Sequence, residues 1–147
     1  MDNSGSARSL STEAISSPSA PAAVGPYSAG IRTSGCGLIF VSGQLPLDPS
    51  SGEMVKGDPA ALATRALANG LAIVEAAGSA LRHIVKVTVF LTDLDNFEQV
   101  NKAYAEFFGE WRPARSVVEV TRLPRGSALE VEMIALQADL SGGQEST

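Results

Sequence analysis

The apolar residues of the chain fall into short alternating runs and two longer stripes at helical spacing, separated by turn formers. The first 20 residues, rich in Ser and Ala, show no apolar periodicity and read as a disordered leader, so ordered structure is expected to begin near Pro21. Gly25-Pro26-Tyr27 sets a turn ahead of a short strand over Ala29 to Thr33. Ser34-Gly35-Cys36-Gly37 then has the form of a hairpin turn into Leu38-Ile39-Phe40-Val41-Ser42-Gly43, a β-rich run ending in glycine. From Pro46 to Lys56 turn formers dominate and break any regular element.

Asp58-Pro59 pairs an N-cap with a first-turn proline and opens a helix predicted to reach about Ala77, where Gly78 can end it. Leu67, Leu71 and Val74 repeat at i, i+4 and i+7, and Leu62, Ala66, Ile73 and Ala77 widen that stripe, so this face is expected to cover a sheet. Ile84 to Thr92 alternates as a strand, with Val85, Val87, Val89 and Leu91 on one side and Lys86, Thr88 and Thr92 on the other. A second helix, roughly Asp95 to Phe108, places Phe97, Val100, Tyr104 and the Phe107/Phe108 pair at helical spacing before Gly109. Two last strands, Arg115 to Thr121 and Leu129 to Ala138, flank the turn Leu123-Pro124-Arg125-Gly126, and the polar tail over 139–147 reads as disordered.

The order β-β-α-β-α-β-β predicts one α+β domain over residues 21–138, with two helices on one face of a mixed sheet. The last strand is apolar on both faces, Ile134 and Leu136 lying opposite Met133 and Ala135, so the uncovered side of the sheet needs another surface. A homo-oligomer supplies one.

Composition narrows the chemistry. The chain of 147 residues is 44% hydrophobic, enough for one core, and no run of eighteen apolar residues occurs, so no membrane partner is expected. Its net charge is −5 and its 11 Lys and Arg are scattered, which argues against nucleic acid as the partner. One Cys and one His cannot assemble a zinc site or a supported Cys/His pair, so neither metal nor cofactor is expected. A lone Cys and the lack of a secretory signal point to a reducing, cytoplasmic location. Chemistry is left to carboxylates, Arg, Tyr, hydroxyls and backbone groups.

Arg115 opens a strand after Pro113-Ala114, at an element edge where a cleft can form; its guanidinium suits a bidentate grip on a carboxylate, or it pairs with Glu119 or Glu132 on the sheet surface. Glu130 and Glu132 stand two apart in a strand and so share a face roughly 6.5–7 Å apart. If buried and unpaired, such a carboxyl gains a raised pKa suited to general acid/base work; if solvated, both are plain surface charges. Tyr27 follows a rigid Gly-Pro turn that could aim its hydroxyl at a pocket, or it packs like any isolated aromatic. Ser42-Gly43 ends a strand where glycine permits close backbone approach, or forms an ordinary exit turn. Asn101 lies among apolar helix positions and needs a hydrogen-bond partner if buried. His83 and Cys36 read as incidental, and Trp111 and Arg112 as loop anchors.

Taken together, these segments resemble one family, the reactive-intermediate deaminases (the RidA, or YjgF-type, proteins). The matching runs are Ala22-Ala23-Val24-Gly25-Pro26-Tyr27-Ser28, Val41-Ser42-Gly43-Gln44-Leu45-Pro46, Val74-Glu75-Ala76-Ala77-Gly78, Val100-Asn101 through Phe107-Phe108, Pro113-Ala114-Arg115-Ser116 and Leu129-Glu130-Val131-Glu132. The resemblance implies a chorismate-mutase-like subunit, three copies of which join their sheets in a central barrel with clefts at the subunit boundaries. It further implies an enzyme that hydrolyses enamines or imines of the 2-aminoacrylate/2-iminopropionate type to 2-oxo acids and ammonia. In that family the residue matched by Arg115 holds the substrate carboxylate and the one matched by Glu130 positions water and moves protons. Tyr27, Ser42, Gly43 and Asn101 match positions lining the cleft. The chain departs from the pattern at Val117, where many members carry Cys, so only a backbone amide is left there. Two other readings compete: a non-catalytic metabolite-binding or chaperone-like trimer, and a ribonuclease or translation-inhibitor-like activity.

Overall fold

A computed structural model describes residues 11–34 and 37–138. Among them the chain forms strands β1 (Thr12–Ile15), β2 (Gly30–Thr33) and β3 (Leu38–Gln44), helix α1 (Pro59–Ala76), strand β4 (Ile84–Leu91), helix α2 (Phe97–Phe108) and strands β5 (Ala114–Glu119) and β6 (Leu129–Leu136). One sheet holds all six strands in the order β1-β2-β3-β6-β4-β5. Only β4 and β5 run parallel, as they must when a helix, α2, carries the chain from one to the other.

The local signals act as their chemistry requires. The Asp58 carboxylate accepts from the Ala61 backbone N–H at 2.9 Å, with Pro59 in the first turn of α1. Gly109 takes φ 62 directly after α2, a conformation that a residue with a Cβ rarely adopts.

Both helices cover the same face. Ile39 and Val41 of β3, Val87, Val89 and Leu91 of β4, and Leu129, Val131, Met133 and Ala135 of β6 pack beneath Leu67, Ile73 and Val74 of α1 and Val100, Tyr104 and Phe108 of α2. At Gly70 the helix lies so close that an added Cβ would stand 2.7 Å from the Met133 methyl carbon. The other face of the sheet is left uncovered, and Phe40, Val118 and Leu136 on it stay 43%, 41% and 45% exposed. An apolar sheet face of this kind is unfavourable in water unless something covers it.

Two expectations need correction. Strand β1 lies inside the stretch read as a disordered leader: Thr12 pairs with Thr33 and Ile15 with Gly30. Its one apolar anchor, Ile15, is buried, but the pairing is backbone to backbone and leaves no periodicity in a Ser/Ala-rich segment. In β4 the register against β6 shifts between Ile84 and Lys86, so Ile84 occupies the core position that strict alternation assigns to Val85. Residues 1–10 of the expected leader, the tail over 139–147 and Cys36 lie outside the described residues. No helix of the described residues is long and apolar enough to cross a membrane.

Candidate active site

Arg115 pairs in register with Val87 and therefore leaves β5 on the helix side of the sheet. Its Nη1 donates to the Asn101 side-chain carbonyl at 2.8 Å. The guanidinium carbon lies 4.6 Å from the centre of the Tyr104 ring and 5.8 Å from that of Phe97. The pairing with Glu119 or Glu132 that the sequence left open is not made. Glu119 accepts from the Leu94 N–H at 3.1 Å, and Glu132 projects from the opposite face of the sheet. The ion pairs among the described residues are Arg32 with Glu13 and Arg125 with Glu53, so Arg115 keeps an unneutralised charge. It opens into a cavity of about 390 Å³ that Asn101, Tyr104, Arg112 and Pro113 also line.

Glu130 stands elsewhere. It pairs with Phe90 and leaves β6 on the uncovered face, where it lines a second cavity of about 380 Å³ with Tyr27, Ser42, Gly43, Leu45 and Arg125. Burial pushes its carboxyl above the ordinary value of 4.5, and the neighbouring Glu132 pushes it the same way. The Ser42 hydroxyl donates to the Ser28 carbonyl at 2.6 Å and the Ser42 N–H to the Ala29 carbonyl at 2.9 Å, which holds the segment bearing Tyr27 against the end of β3. The loop after β3 is held from below by Asn69 of α1. This fully buried amide donates to the Leu45 and Leu47 carbonyls at 3.1 and 2.9 Å and accepts from Arg65 at 3.0 Å.

Gly43 is where the Glu130 carboxyl finds room. A Cβ at that position would stand 2.0 Å from the Glu130 Oε1 and 2.8 Å from its Cδ. Those atoms end a flexible side chain, so Gly43→Ala is expected to keep the fold and swing the carboxyl away. A rotation confined to the Glu130 side chain should leave Tm unchanged. A crystal structure of the variant beside a thermal melt checks both halves.

The seven residues singled out from sequence thus divide. Tyr27, Ser42, Gly43 and Glu130 share one cavity, whereas Arg115 and Asn101 share the other. Val117 leaves β5 on the same side as Arg115 but packs partly buried against the core. Of the residues set aside, Trp111 does anchor its loop, donating from Nε1 to the Ile84 carbonyl at 2.8 Å, and His83 lies 3.3 Å from the Ser79 hydroxyl. Arg112 is bound to the Gly109 and Trp111 carbonyls.

Two residues escaped the sequence reading. Tyr104 sat in the apolar stripe of α2 and looked like core. Arg125 sat in a turn, yet it adopts a left-handed φ of 58 and donates to the Gly52 carbonyl at 2.9 Å on the rim of the Glu130 cavity. The Leu-Pro-Arg-Gly run was the available signal, since a residue between Pro and Gly is often forced into an unusual turn conformation.

The profile of the Endoribonuclease L-PSP family matches residues 17–137. A RutC family protein of Pyrococcus abyssi is 47% identical over 126 residues, which covers 86% of this chain and 98% of that protein. The Homo sapiens protein named 2-iminobutanoate/2-iminopropanoate deaminase is 41% identical over 133 residues, 90% of this chain and 96% of its own. Among solved structures, the YjgF gene product of E. coli superposes with a TM-score of 0.79 at 46% identity, covering 86% of this chain and 99% of that one. Two helices on one face of a six-stranded mixed sheet agree with the chorismate-mutase-like subunit expected for such proteins. The chain belongs to the Endoribonuclease L-PSP family, that of the RidA/YjgF-type proteins.

Proposed function

We propose that the protein hydrolyses reactive enamine and imine acids of the 2-aminoacrylate/2-iminopropionate class to 2-oxo acids and ammonia, in clefts where Arg115 of one protomer faces Glu130 of another. One observation carries the reading: Arg115 is a guanidinium without a carboxylate partner, while the raised carboxyl of Glu130 lies across the sheet in a separate cavity. Each chain then holds two half-sites. A homotrimer that joins the uncovered sheet faces buries Phe40, Val118 and Leu136, and at its seams the β5 edge of one protomer, where Arg115 starts, meets the Glu130 cavity of the next. The deaminase name of a human relative at 41% identity supports the chemistry.

In the proposed step Arg115 clasps the substrate carboxylate through paired N–H donors and Asn101 holds the guanidinium in place. An enamine first takes a proton at its β-carbon and becomes the iminium. Ionised Glu130 accepts a proton from water as the oxygen bonds to the C=N carbon, and the C=N electron pair moves to nitrogen. The proton then passes to the amine, ammonia leaves, and the carbonyl forms as the hydroxyl proton is lost. Nothing is oxidised or reduced, and imines hydrolyse readily enough in water for positioning to supply the acceleration. Nucleic acid has no part in this reading, given the net charge of −5.

Shared clefts make a sharp expectation. Arg115→Ala and Glu130→Gln homomers should each be nearly inactive, but co-refolding them in equal amounts should restore about a quarter of wild-type turnover, because random mixing gives an intact cleft in about one case in four. A mixture as dead as its parents would refute the shared site. Wild type that binds 2-oxobutanoate yet never releases ammonia faster than the free imine would instead support the non-catalytic binding trimer.

A further inference from the structure

Arg115 stands at the start of the edge strand of the sheet, and a side chain with four rotatable bonds gains little there from one hydrogen bond to Asn101. Something else must fix its direction. Tyr104, three residues along α2 from Asn101, presents its ring to the same guanidinium at 4.6 Å and is 6% exposed. The ring has little freedom to give way: it packs against Phe108 at 4.6 Å, and Phe108 in turn meets Phe107 edge to face at 5.2 Å. The Tyr104 hydroxyl is buried with no hydrogen-bond partner among the described residues, so packing and the cation hold this side chain and no polar contact does.

We infer that Tyr104 is a positioning residue for substrate binding: its ring face seats the Arg115 guanidinium and turns the remaining N–H groups towards the cavity. The inference rests on the assignment of Arg115 to the substrate carboxylate made above. Guanidinium N–H groups lie in the plane of the group, so a ring against its face occupies none of them. Asn101 takes one Nη1 proton and leaves the others for an anion. Arg112, the second guanidinium lining the cavity, donates from Nη1 to the Gly109 and Trp111 carbonyls, which holds it to its own loop, and it adds positive charge beside Arg115. Phe97, at 5.8 Å, adds a weaker second ring.

The test replaces Tyr104 by phenylalanine and then by phenylalanines carrying one and three ring fluorines. These change the ring's attraction for a cation with little change in shape. The dissociation constant for 2-oxobutanoate is expected to rise stepwise, about fivefold from Tyr104→Phe to the trifluoro ring, equivalent to about 1 kcal/mol. KM for a 2-imino acid should follow, while kcat stays within about twofold and Tm does not move. Since every ring fills the same space, a structural role predicts no trend, and a flat series would overturn the inference. Arg115→Ala that binds 2-oxobutanoate as wild type does would sink the carboxylate assignment instead. In that event the Arg115 Nε–H resonance, which a stacked ring displaces by its ring current, reports the seating without any ligand.

Discussion

Arg115→Lys is expected to lower kcat/KM for a 2-imino acid about a hundredfold, nearly all of it through KM, with Tm and assembly unchanged. Lysine keeps the positive charge but has no planar fork, so it can offer a carboxylate a point charge and not two parallel N–H bonds. A charge-assisted hydrogen bond contributes about 1.5–3 kcal/mol, and the loss of one with its geometry corresponds to about two orders of magnitude. The loss falls on KM because the carboxylate is held equally in ground state and transition state. Tm is spared because Arg115 forms no ion pair among the described residues of its own chain, and lysine keeps a cation beside the Tyr104 ring in place of the guanidinium. Arg115→Ala should lose a further tenfold. Lysine turning over within threefold of wild type would show that the substrate carboxylate lies elsewhere.

Glu130→Gln is expected to cut kcat by about a thousandfold, within the range that a positioned general base supplies. Its pH behaviour separates a chemical role from a structural one. The proposed step needs the ionised carboxylate, so wild-type kcat/KM should fall as pH drops through a pKa above 4.5, raised first by burial and then by Glu132. Glu132→Gln removes the like charge, lowers that pKa and moves the acid limb to lower pH, while the glutamine variant at 130 has no such limb. Stability has the opposite sense. A folded-state pKa above the unfolded value means that the fold favours the protonated form, a stabilisation present below 4.5 and lost as pH rises through the folded value. Glu130→Gln should therefore melt higher than wild type at neutral pH, with the gap closing under acid. An activity profile that keeps its acid limb in Glu130→Gln would place the titrating group elsewhere.

Much of the fold follows from one-dimensional features, because helix and strand periods and caps are local. Asp58 and Pro59 mark the start of α1, and the alternation of Leu129, Val131, Met133 and Ala135 marks the buried face of β6. Where backbone pairing alone decides, the signal vanishes: β1 has a single apolar anchor, and the bulge at the start of β4 moves Ile84 into the core with no change in composition.

The sequence by itself determined the two-helix, mixed-sheet architecture and the family, and it nominated candidate site residues, since those rest on residue type and spacing. Only the tertiary structure decided how they are grouped. The β4–β5 register sends Arg115 to the helix side and the β6 register sends Glu130 to the uncovered side, and no reading along one strand reveals which face of a neighbour it joins. The ring beneath Arg115 came to light the same way, since the meeting of α2 with the edge of the sheet, and no local preference, brings Tyr104 to 4.6 Å from the guanidinium.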